Sequence, residues 1–250
     1  MIEDIFIAIV ILFLLPIFPM SLITNFLLSK LKGVALLFAV SIIFITGVAL
    51  MSSYENKAVI EILSVVALFS TLFYALRLLS VSNGYDYFLF YYSAVSGFVW
   101  LWKSLNADMF VFYLAFFLPL MGFALLITFL DKQFGSTYFK AFKGLGTLMP
   151  RFSILLIVSV LGLMFIPYFP AFKIFSKGGV DFDIFYLVMI VLSWLLISWS
   201  GISMIEKLIY GQAQRKLHYK DLSLFMSAFL SCIYLLSIVH GFIYLGVILG

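Results

Sequence analysis

Long apolar runs separated by short polar interruptions set the pattern of this chain. Eight stretches carry few charges: 5–28, 34–52, 59–81, 86–102, 109–130, 152–177, 184–207 and 222–248. An α-helix rises about 1.5 Å per residue, so about 20 apolar residues cross the hydrocarbon core of a bilayer. Each stretch therefore predicts a membrane-spanning helix. A transmembrane barrel would need roughly ten-residue strands alternating polar and apolar positions, and the runs here are continuous. The sixth stretch contains Pro167 and Pro170, which predicts a helix broken in mid-membrane. The backbone groups freed by such a break must be satisfied by protein or by a watery cavity. Short loops predict antiparallel neighbours in sequence order. The expected fold class is all-α, a polytopic membrane protein of about eight transmembrane helices with one broken near Pro167. It reads as a single domain over 1–250, with N-terminal helices in 1–105 and a second part in 106–250.

Composition agrees. Of 250 residues, 65% are hydrophobic and 10% charged, against about 25% charged in soluble domains. The net charge of +4 does not point to nucleic acid, because the basic residues sit in alternate loops. Lys30, Lys32, Lys132, Lys140, Lys143, Arg151, Lys207, Arg215, Lys216 and Lys220 fall on one side; Lys57, Lys103, Lys173 and Lys177 fall on the other. The positive-inside rule then predicts an inner-membrane protein with both termini outside the cytoplasm. The first stretch does not read as a signal peptide, since Glu3 and Asp4 stand where a basic start is needed. Within the 131–151 loop, Phe134, Tyr138, Phe139, Phe142 and Leu145 recur at helical spacing between lysines. That suits either an amphipathic surface helix or a plain basic loop. Trp100 and Trp102 are expected at a membrane interface.

Candidate chemistry is sparse. One cysteine, Cys232, excludes an intrachain disulfide. Two histidines with one cysteine do not build a structural zinc site, and no cofactor is expected. Gly144-x-Gly146 is too short for a dinucleotide fingerprint and follows no strand. There are no paired carboxylates and no phosphate loop, so the chain is not expected to be catalytic alone. Ionisable residues in spanning helices are costly and are functional candidates by default. Glu61 and Arg77 lie near the two ends of the third stretch, about 24 Å apart at helical rise. They cannot pair directly, and each can reach an interface along its stem. Asp108 opens the fifth stretch, where a carboxylate favours the helix N-terminus. Glu206 and Lys207 close the seventh as an interfacial anchor. His240 lies deepest and could relay protons or simply bond to a neighbour. Lys173 and Lys177 flank the break. No stretch centre carries a lysine or a glutamate.

The punctuation between Gly144 and Asp221 resembles a known family. Gly144-Leu145-Gly146 through Met149-Pro150, then Phe165-Ile166-Pro167 and Ala171-Phe172, then Tyr210-Gly211 and Lys216 to Asp221 are similar to segments of the antiporter-like membrane subunits. Those subunits occur in respiratory complex I, in multisubunit cation/proton antiporters, and in related hydrogenase and inorganic-carbon uptake complexes. Asn106-Ala107-Asp108 resembles the family's aspartate opening an early helix. The similarity covers roughly 106–250 and weakly the rest. The resemblance implies a lysine or glutamate at the position of Phe175, a glutamate at Phe117 and a histidine near Phe116; all three are phenylalanine here. It also implies a chain about twice as long. The implied function is that of a shortened, degenerate subunit of a proton- or sodium-coupled complex, supporting ion translocation rather than performing it alone. Its implied partners are lipid, a full-length antiporter-like relative and a peripheral soluble enzyme subunit. Any ion path would use Lys173, Lys177, His240, Asp108, Glu61 and Arg77. Two other readings stand beside it: the membrane partner of a gradient-driven inorganic-carbon uptake complex, and a structural or assembly subunit with no ion path.

Overall fold

The computed structural model describes residues 2–104, 109–166, 169, 183–211 and 220–249. It is built from helices: α1 (Ile2–Leu14), α2 (Met20–Leu28), α3 (Gly33–Ser53), α4 (Lys57–Ser80), α5 (Gly84–Ser104), α6 (Met109–Phe134), α7 (Leu145–Leu148), α8 (Pro150–Leu163), α9 (Ile184–Ile209) and α10 (Leu224–Leu249). Among the described residues, five segments are long and apolar enough to cross a membrane: α3, α4, 114–134 of α6, α9 and 224–242 of α10. Their outward faces carry Phe38, Ile42, Phe69, Leu195, Trp199 and Leu236 exposed, as a lipid-facing surface requires. The all-helical membrane fold is as expected. Where eight spans were expected, five segments among the described residues meet the length and hydropathy of a crossing.

Helix α5 is the buried centre. From Tyr87 to Trp102 almost every side chain is enclosed, which a helix apolar all round achieves only inside a bundle. Small residues let α4 lie close against it. A Cβ on Gly97 would overlap the Thr71 hydroxyl and stand 2.8 Å from the Ala67 carbonyl oxygen. The Thr71 hydroxyl donates to Ala67 O at 2.9 Å. Trp100 and Trp102 are buried, which corrects their expected place in an interfacial belt. The Trp100 indole instead donates to the Leu15 carbonyl at 3.1 Å.

That bond belongs to a feature the hydropathy pattern hides. The first apolar stretch is two helices, not one. Pro16 and Pro19 interrupt it, and the Phe18–Pro19 peptide is cis. The freed backbone groups find partners across the bundle. Tyr92 donates to Leu14 O, Trp100 to Leu15 O, and the Phe18 N–H donates to Ser70 Oγ at 2.8 Å. Beneath the turn lies a closed polar cluster. Tyr74 donates to Ser21 Oγ at 2.6 Å, and Asn25 donates to Ser93 Oγ at 2.9 Å.

The basic loops gather at one end. Tyr85 at the start of α5 donates to Asp131 at the end of α6 at 2.9 Å, and accepts from the Gly33 N–H that begins α3 at 3.0 Å. The 131–151 segment does not form one amphipathic helix. After α6 ends it makes a 3-10 turn at Phe139–Ala141 and the single turn of α7. Phe139 and Phe142 point into the core, so burial takes the apolar face that a surface helix would have presented to lipid.

Candidate functional site

The end of α8, beside the break expected near Pro167, is the candidate site. α8 ends at Leu163, and Phe165 takes φ 53, a left-handed conformation that costs a side chain about 1–2 kcal/mol. A helix ending inside the bundle leaves its last carbonyls without intrahelical partners. Neighbouring helices supply donors. The Tyr91 hydroxyl of α5 donates to Leu163 O at 2.9 Å. Trp194 Nε1 of α9 donates to Met164 O at 2.8 Å, joined by the Ser198 hydroxyl at 3.4 Å. One turn further along α9, Ser200 and the buried Tyr87 hydroxyl lie 3.0 Å apart.

A second irregularity faces the first. Pro119 sits inside α6, where its missing N–H interrupts the hydrogen-bond ladder. The Ser159 hydroxyl of α8 donates to Pro119 O at 3.1 Å. Gly162 permits this approach, since a Cβ there would lie 2.9 Å from the proline ring. Helix α10 closes the group from the other side. A Cβ on Gly122 would overlap the Tyr234 hydroxyl and stand 2.6 Å from its Cζ.

Between the break and the kink lies an aromatic cluster. Phe165 meets Phe116 edge-on at 5.0 Å and Phe98 at 5.6 Å, and Phe98 meets Trp102 at 6.1 Å. Edge-to-face packing of this kind is favourable beyond the area it buries. Phe98, Phe116 and Phe165 are almost fully buried. Phe116, the position near which the resemblance implies a histidine, is thus a packed ring, and Phe117, where it implies a glutamate, is a partly buried phenylalanine against the core. The groups described around the cluster are hydroxyls, an indole N–H and carbonyls.

The other expected site residues scatter. Glu61 and Arg77 are exposed on α4. The Arg77 guanidinium lies over the Phe90 ring at 4.9 Å and the Phe73 ring at 5.8 Å, an arrangement worth about 0.5–1 kcal/mol at exposed sites. His240 is half-buried on α10, three residues beyond the buried Ser237. Asp108, Pro167, Pro170, Lys173 and Lys177 lie outside the described residues. Among the described residues no three His, Cys, Asp or Glu side chains come together as a metal site.

Among the described residues, the two ends of the Gly144–Asp221 punctuation converge in space. Gly144 takes φ 73 at the entrance to α7. Gly211, at φ 113, ends α9 against the Lys143 side chain, where a Cβ would be 3.3 Å from Lys143 Cβ. Met149 offers no side-chain cap to α8. Asp221 does so from 70 residues away: the Arg151 N–H donates to its Oδ2 at 3.0 Å and the Phe152 N–H to its Oδ1 at 3.1 Å. A carboxylate on the first amides of a helix satisfies orphan donors and the positive end of the dipole together. Sequence reasoning had Asp221 only as the end of a basic loop. It also missed Tyr91, Trp194 and Pro119. Tyr87 and Tyr91, one turn apart on α5, were the available signal.

No family model matches the chain. An uncharacterised protein from Aquifex aeolicus (strain VF5) is 26% identical over 211 residues, covering 84% of this chain and 88% of that one. A chain of respiratory complex I from Thermus thermophilus superimposes with TM-score 0.83 at 16% identity, covering 95% of this chain and 54% of its own length. A chain of the Mrp complex from Dietzia sp. DQ12-45-1b gives TM-score 0.80 at 12% identity, over 93% of this chain and 54% of that one. The chain therefore has the fold of the antiporter-like membrane subunits and spans about half the length of the solved chains it matches. The Aquifex relative, matched over nearly all of its length, is of comparable size.

Proposed function

We propose that the chain is a supporting membrane subunit of an ion-translocating complex, packed beside a full-length antiporter-like relative and without a complete ion path of its own. The observation that carries this reading is the Phe98–Phe116–Phe165 cluster. Where the fold brings a broken helix against a kinked one, the described interior is packed rings rather than ionisable groups. Moving a charge past such a seal would require a hydrated opening or a titratable stepping stone. At the break, the Leu163 and Met164 carbonyls accept from protein donors, Tyr91, Trp194 and Ser198. The lysine-rich loops meet at one end, and by the positive-inside rule that end faces the cytoplasm, leaving both termini outside.

Reconstitution tests the proposal. The purified chain in proteoliposomes, challenged with sodium, potassium or pH gradients, should show no cation/proton exchange above protein-free vesicles. Robust exchange by the chain alone sinks the reading. A detergent-gentle pull-down should recover other membrane subunits, including a longer antiporter-like chain. Recovery of a large soluble metal-binding protein without one would favour the inorganic-carbon reading instead. Replacing Lys173, Lys177 and His240 together by apolar residues separates two roles. Unchanged activity of the parent complex makes the chain a scaffold, and lost activity means that it lends these groups to a shared path.

A further inference from the structure

The basic end of the bundle holds a cavity that the proposed function does not use. It lies between the end of α6 and the start of α10, beside the first turn of α3. Its volume is about 500 Å³, within the range of about 300–1,000 Å³ that small-molecule sites occupy. The walls divide by chemistry. Val34, Leu125, Phe129, Leu222 and Met226 form an apolar trough, and Lys132, Gln133 and Lys220 stand around it.

The charges are not internally balanced. Asp221 also lines the cavity, but its two oxygens already accept from the backbone N–H groups of Arg151 and Phe152. Asp131, on the same turn as Lys132, accepts from Tyr85. Lys132 and Lys220 are exposed. The polar atoms of the Gln133 amide are shielded from solvent and have no hydrogen-bond partner among the described residues, a state that folded proteins rarely tolerate without an additional ligand or water.

We propose that this cavity binds one anionic phospholipid. An acyl chain would lie in the Leu125–Phe129–Met226 trough, and the headgroup phosphate between the ammonium groups of Lys132 and Lys220, within reach of the Gln133 amide. Three observations favour that occupant over a soluble anion or a protein segment. The trough opens at the end of membrane-spanning helices, where acyl chain and headgroup meet. Its apolar wall would contribute nothing to holding a free phosphate. Paired lysines between helix ends complement a phosphate, and basic pockets between transmembrane helices are recurrent sites for anionic headgroups. The inference stands apart from the proposed function, since it needs only this chain in a membrane.

The test uses the intact chain, purified and delipidated in mild detergent. Retention of phosphatidylglycerol and phosphatidylcholine is compared by native mass spectrometry, with thermal unfolding as a second readout. The wild type should retain one phosphatidylglycerol at least about tenfold more readily than phosphatidylcholine, and should melt higher with it. Lys132→Ala/Lys220→Ala should bring the preference to within about twofold. Lys140→Ala/Lys143→Ala removes the same charge outside the cavity and should leave it intact. Met226→Trp should fill the trough and reduce retention of both lipids. Equal loss in the two lysine pairs would mean general surface charge, and equal retention of the two lipids would mean bulk lipid; either overturns the proposal. Stabilisation by inorganic phosphate equal to that by phosphatidylglycerol would also overturn it. Unchanged helical content by circular dichroism shows that each variant is folded.

Discussion

Replacing Tyr91 by phenylalanine removes one oxygen and nothing else from the break in α8. The ring stays, so packing around α5 is retained. What is lost is the hydroxyl that donates to the Leu163 carbonyl, 2.9 Å away in a fully buried setting. A buried acceptor left without its partner costs about 1–3 kcal/mol, more than the net value of an average hydrogen bond. For a chain of this size about 1 kcal/mol corresponds to roughly 2–4 °C, so the melting temperature should fall by about 2–12 °C. The assay is thermal unfolding of the intact protein in one detergent at one scan rate, because unfolding of such proteins is often irreversible. Tyr138→Phe is the control, since that side chain is 56% exposed, and surface changes of this kind stay within about 0.5 kcal/mol. Trp194→Phe, which uncovers the adjacent Met164 carbonyl, should couple to Tyr91→Phe rather than add to it, as residues sharing one network do. A neutral Tyr91→Phe would refute the account of the break as one held by protein donors.

Other changes probe the remaining joints. Asp221→Ala should cost about 0.5–2 kcal/mol by uncapping α8, read as a lower melting temperature, with Asp221→Asn in between. Gly97→Ala must displace the Thr71 side chain and the Ala67 backbone, and overpacking of this kind costs about 1–3 kcal/mol. Phe116→Ala should destabilise by about 3–5 kcal/mol through the cavity it leaves. In proteoliposomes it should also raise proton leak above wild type, and an unchanged leak would show that Phe116 does not seal the bundle.

Hydrophobic run length was enough to read the membrane fold, and Pro167 was enough to expect a break. Run length could not show that the first stretch is two helices. Pro16 and Pro19 were visible, but whether they split a helix depends on partners such as Tyr92, Trp100 and Ser70, which lie far away in sequence. Trp100 and Trp102 read as interfacial because they fall near the end of a stretch. Their burial follows from α5 being surrounded on all sides, a property of the assembled bundle. The amphipathic spacing of 134–145 was real, yet Phe139 and Phe142 turned inward because protein, not lipid, was the nearer apolar surface. Asp221 illustrates the same limit: its cap on α8 is a tertiary bond that local rules for helix starts cannot anticipate.

These contacts separate two requirements that the resemblance joins. A broken helix in a membrane needs donors for its last carbonyls, whereas an ion path needs groups that gain and lose charge. Here the first requirement is met by a tyrosine hydroxyl, a serine hydroxyl and an indole N–H. None of these groups changes charge near neutral pH. The second is not met by the groups described around the break, where Phe98, Phe116 and Phe165 pack instead. The architecture therefore does not require such groups at the break, because different residues serve each requirement. The Gly144–Asp221 punctuation belongs to the first set: Gly144 turns the chain into α7, Gly211 seats α9 on Lys143, and Asp221 pins the start of α8.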